Sequence, residues 1–169
     1  MVLSAAMAAL ALVLPMLFHA TGLGSNFLPM ILPLLLNAFL SDMGWALLAA
    51  AIVPWISAFA TGMPPIYPPV ALVMSGEAAI MALVVALVWR ASKQRVWPTL
   101  IAGILADRVA SFVMMLLLSV QFALPARAIA IGSFVYGLPG VALQLVVVPL
   151  VIKALKQRRS VLFGFDNGQ

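Results

Sequence analysis

Side chains able to carry proton chemistry near neutral pH are scarce in this sequence: Asp plus Glu number 4 and there is 1 His. Glu77 is the most informative of them. It lies seven residues into the apolar run that starts at Val70, and Met74, three positions earlier, shares its helix face. A carboxylate so placed either accepts hydrogen bonds from a ligand in a pocket open to one side of a membrane, or is held protonated or paired inside a helix bundle. Tyr136, in the last apolar run, falls at a similar depth. Its hydroxyl-bearing ring suits a ring-shaped ligand, and packing would also account for it. His19 closes the first apolar run, where it is either a ligand contact or an interfacial imidazole bonded to a loop carbonyl. A lone imidazole makes a poor metal site, and with no cysteine there is neither a thiolate site nor a disulfide.

Asp107 and Arg108 stand together in the middle of a fifth apolar run. Adjacent helical residues point about 100° apart, so the pair is not expected to neutralise itself on one face. One member is expected to bond across to another span as a structural clamp, with Asn37, Gln144 or the backbone as partner. Asp42, in the polar turn Ser41-Asp42-Met43-Gly44, is expected to cap the helix that follows. An aspartyl-protease pairing of Asp42 with Asp107 would bring two carboxylates within about 3 Å, whereas one falls in a solvated turn and the other near a membrane midplane. No nucleophile elbow, phosphate-binding loop or dinucleotide fingerprint occurs. The expectation is a non-enzyme with no catalytic residue, no metal and no resident cofactor.

The elements that must position these residues follow from composition. Of 169 residues, 66% are hydrophobic and 8% charged, against about 25% charged in a soluble domain, so the chain reads as one all-α integral membrane domain, residues 1–169. Six transmembrane helices are expected, at about 1–18, 28–40, 45–60, 70–89, 97–120 and 128–152, followed by a basic tail over 153–169. Seven of the basic residues form two clusters, Arg90, Lys93 and Arg95, then Lys153, Lys156, Arg158 and Arg159. The positive-inside rule puts both clusters and both termini in the cytoplasm, as in a multi-pass protein of the inner (cytoplasmic) membrane. The net charge of +5 then reports orientation rather than a nucleic-acid partner.

Trp45, Trp89 and Trp97 fall at the ends that this topology makes cytoplasmic. With no basic residue ahead of it, the first run is expected to be a retained span and not a cleaved leader. The segment from Thr61 to Pro69 holds four prolines and is expected to be a stiff external loop. Glu77 then lies about 10 Å below the external surface. Ser4, Ala5, Ala8 and Ala9 give the first span two small faces, for a partner subunit or for internal packing.

These residues resemble the substrate-binding S component of an energy-coupling-factor (ECF) vitamin or micronutrient transporter. The likeness rests on Ala5-xxx-Ala9, on His19-Ala20-Thr21-Gly22-Leu23-Gly24 leading into Phe27-Leu28-Pro29-Met30, on Thr61-Gly62-Met63-Pro64-Pro65 and on Met74-Ser75-Gly76-Glu77. Ile31 stands where members of the family often carry histidine. The resemblance implies a six-helix bundle in membrane lipid that captures a vitamin-like small molecule near the external side. It also implies delivery through a transmembrane coupling subunit and two cytoplasmic ATPases, with the alanine face of the first span against the coupling subunit. The expected pocket residues are His19, Asn26, Met63, Tyr67, Met74, Glu77 and Tyr136. The competing expectation is a self-contained proton-coupled carrier using Glu77 or Asp107.

Overall fold

A bilayer interior offers backbone N–H and C=O groups no water, so an apolar chain of this kind must satisfy them within helices. A computed structural model describes residues 1–20, 29–67, 69–121 and 137–163, the side chains of 19–20 and 158–163 excepted. Among the described residues the regular elements are six α-helices: α1 (Val2–Ala20), α2 (Ile31–Leu40), α3 (Met43–Thr61), α4 (Val70–Ala91), α5 (Val96–Gln121) and α6 (Leu138–Phe163). Four are long and apolar enough to cross a membrane: α3, α4, α5, and α6 over Leu138–Gln157. The apolar part of α1, Val2–Phe18, and the whole of α2 are shorter.

Two boundaries differ from the sequence expectation. Helix α2 starts at Ile31 rather than at 28, which places Pro33 in its first turn, where a missing N–H has no intrahelical partner to lose. Helix α6 continues through Lys153 and Lys156 to Phe163, so much of the expected basic tail is helical. The start expected for that span, at 128, lies outside the described residues.

The ten-residue α2 packs against α1, α3, α4 and α6. It is buried at Ile31 and continuously from Pro33 to Phe39. Leu34 and Leu35 of α2 join Val53 of α3, Met81 and Val85 of α4 and Leu100 of α5 in the core. The α4–α5 hairpin is the most extensive pairing, and glycines admit it. A Cβ at position 103 would stand 2.5 Å from Cγ2 of Val85, and one at position 76 would run into the end of Met114. The outward surface stays apolar, with Phe59, Leu105, Val109 and Val120 exposed, as a lipid-facing surface requires.

The turn between α4 and α5 is tight, with Lys93 and Gln94 at φ 51° and 61°. Lys156 of α6 donates to the carbonyl of Gln94 at 3.2 Å, bringing both basic clusters to one end of the bundle. Its ammonium also lies 5.0 Å from the ring centroid of Trp89, and Trp89 meets Phe39 edge-on at 5.2 Å. At the same end Asn37 donates to Ser4 at 3.0 Å and accepts from Ser41 at 2.6 Å, while Ser4 donates to the Trp45 carbonyl at 3.2 Å. Asp42 occupies the N-cap position of α3, but its side chain makes no capping hydrogen bond, contrary to the role expected of it.

At the other end α3 closes on Gly62, whose φ of 74° is the left-handed region that only glycine adopts freely, and its N–H returns to the Ala58 carbonyl. The proline-rich segment that follows is non-helical at its described residues, 62–67 and 69, as its composition predicts. The Ser57 hydroxyl holds its first carbonyl, that of Met63, at 2.7 Å.

Candidate functional site

Helices α4 and α5 are antiparallel and joined by a short turn, so residues equally far from that turn meet. Glu77 lies about 21 Å along α4 from its end at Ala91, and Ser111 about 22 Å along α5 from its start at Val96. The Ser111 hydroxyl accordingly stands against the Glu77 carboxyl. Asp107, one turn nearer the basic end on the same face of α5, adds its charge to the Glu77 environment, and Arg108 opposes it. All four are buried: Glu77 is 4% exposed, Asp107 1%, and Arg108 and Ser111 9% each.

Among the described residues Asp107 and Arg108 bond to each other and not to separate helices, which corrects the sequence expectation. Arg108 donates to Oδ2 of Asp107 from Nε at 3.2 Å and from a terminal nitrogen at 2.6 Å. The arginine stem is long enough to cover the 100° between neighbours, and at low dielectric two charges gain more from each other than from separate neutral partners. The partners expected for them are engaged elsewhere or unused. Asn37 belongs to the Ser4–Ser41 network, and Gln144 leaves its amide nitrogen without a partner among the described residues.

The same holds for Oε2 of Glu77, Oδ1 of Asp107 and Oγ of Ser75. A buried polar atom without a partner costs about 1–3 kcal/mol, and more if charged. Glu77 and its neighbours therefore form an under-satisfied polar cluster, able to accept hydrogen bonds from a donor-bearing molecule.

Of the seven pocket residues expected from sequence, Met74 and Glu77 share a face of α4, one turn apart, with Met74 packed on the core. Met63 and Tyr67 lie in the loop at the same end of the bundle, 48% and 79% exposed. His19 is in the last turn of α1, with its side chain outside the description; Asn26 and Tyr136 lie outside the described residues altogether. Ser75 and Ser111 were not among the expected residues. Ser111 is four residues from Asp107, a spacing that stacks both on one helix face and that could have drawn attention to it.

Residues 1–152 match the family model for the ECF transporter, substrate-specific component. The chain belongs to that family. It is a membrane transport protein. No curated protein and no solved structure matches the chain. In this S component the matched region contains the whole Glu77 cluster and ends at Ile152, before the last turns of α6. The small residues of α1 divide between two surfaces. Ser4 is 4% exposed and bonded inside the bundle, and Ala8 packs against the core. Ala5 and Ala9 face outward.

Proposed function

We propose that this S component is the substrate-capture subunit of an ECF-type ABC importer, taking up a vitamin or related small molecule in a pocket near the external side of the inner membrane. It hands the molecule to a transmembrane coupling subunit powered by two cytoplasmic ATPases, and all six helices cross or enter the bilayer with both termini cytoplasmic. The observation that carries the site is the Glu77 carboxyl, buried in the half of α4 remote from the basic end, with Oε2 lacking a partner among the described residues. Glu77 suits a cationic or donor-bearing ring, with Met74 beside it and Met63, Tyr67, His19, Asn26 and Tyr136 completing the pocket. Ala5 and Ala9 provide the outward face of α1 for the coupling subunit, close enough for backbone approach.

Mass spectrometry of small molecules that co-purify with the detergent-solubilised chain is the decisive test. One dominant vitamin-like ligand is expected, and its affinity for the Glu77→Gln variant should fall by about 10- to 100-fold, the worth of a hydrogen bond to a charged group. Unchanged affinity would remove Glu77 from the pocket. For a proton-coupled carrier, the Arg108 pairing engages Asp107 and leaves Glu77 as the remaining proton site. Uptake by the chain alone in liposomes, driven by a pH gradient, would establish that carrier and overturn the capture reading.

A further inference from the structure

At the basic end, the start of α5 and the stretch of α6 from Pro149 to Lys156 flank a groove of about 490 Å³. Pro149, Ile152, Lys153 and Lys156 line one side, spaced along a single face of α6, and Arg95 and Trp97 line the other. No acidic residue is among its lining residues. The lining is ordered by depth. Lys156 and Arg95 stand at the rim, and Pro149 lies about 10 Å further along α6 towards the bilayer centre. Trp97, 56% exposed, sits between these levels, where an indole marks the boundary between headgroups and hydrocarbon. Lys156 donates to the Gln94 carbonyl and lies over the Trp89 ring, which holds its ammonium at the rim.

We propose that this groove binds an anionic phospholipid of the leaflet at the basic end, its phosphate held by Arg95, Lys153 and Lys156 and its chains laid against Trp97, Ile152 and Pro149. Charge complementarity selects the occupant. A free phosphate would leave the apolar floor unused, and a zwitterionic lipid would bring its own cation to three others. The charged rim of the site is about 20 Å from the level of Glu77 along the helices, and the proposal does not depend on which substrate that cluster binds.

The test is native mass spectrometry of the full chain in neutral detergent, titrated with phosphatidylglycerol and phosphatidylcholine of identical chains. Phosphatidylglycerol should be retained preferentially. The Arg95→Gln/Lys153→Gln double variant should weaken that retention by about 30-fold, while Lys93→Gln, outside the groove, should leave it unchanged. The charge-preserving pair Arg95→Lys/Lys153→Arg should keep the preference, which separates loss of charge from loss of fold. Equal retention of the two lipids, an unaltered preference in the double variant, or displacement of phosphatidylglycerol by glycerol 3-phosphate at equal concentration would overturn the proposal.

Discussion

At the scale of single residues, two buried acids a turn apart in level play different parts. Asp107 is compensated by Arg108, and removing one charge strands the other. Asp107→Asn should therefore destabilise the solubilised protein by about 3–5 kcal/mol, while Asp107→Leu with Arg108→Met should recover much of the loss, read as thermal unfolding midpoints. Among the described residues no arginine bonds to Glu77, and one of its oxygens lacks a partner. Glu77→Gln should leave the midpoint of the ligand-free protein unchanged or raise it while weakening ligand capture, because a residue kept for binding is not kept for stability. A midpoint that falls with Glu77→Gln would point instead to a structural carboxylate. The sequence made Glu77 conspicuous, since a carboxylate in an apolar run stands out on its own. It could not show that Arg108 folds back on its neighbour, because helical geometry separates their Cβ atoms and only the arginine rotamer reunites them.

Among elements, the α4–α5 hairpin is where packing tolerates least. Val85 is β-branched and fully buried, so it cannot withdraw from a methyl group at position 103. Gly103→Ala should cost about 1–3 kcal/mol. Gly76→Ala meets only the end of the Met114 side chain and should cost less than half as much, because methionine can turn aside. Equal costs in thermal unfolding would contradict this account of the hairpin. Helix positions were legible from runs of apolar residues broken by proline and by polar turns, and α4 and α5 fall close to their expected spans. What hydropathy could not convey was the central burial of the short α2, since an apolar run looks alike whether its neighbours are lipids or helices. The extension of α6 past Ile152 was hidden for the opposite reason: charge marks where a helix leaves hydrocarbon, not where it ends.

For the whole molecule, the division of α1 into an inward Ser4–Ala8 face and an outward Ala5–Ala9 face sets an expectation for assembly. Ala9→Leu should leave ligand binding intact and reduce co-purification with the coupling subunit and ATPases. Ser4→Leu should lower stability first, because it breaks the bonds to Asn37 and Trp45. A complex recovered in equal yield with Ala9→Leu would move the interface elsewhere. The basic end of the bundle is tied by Lys156 to both the α4–α5 turn and the Trp89 ring, whereas α6 otherwise touches α5 and α2 lightly among the described residues. Its inner face is seated all the same, with Gln144, Val148 and Ile152 1%, 0% and 2% exposed, so Lys156 is one anchor of α6 among several.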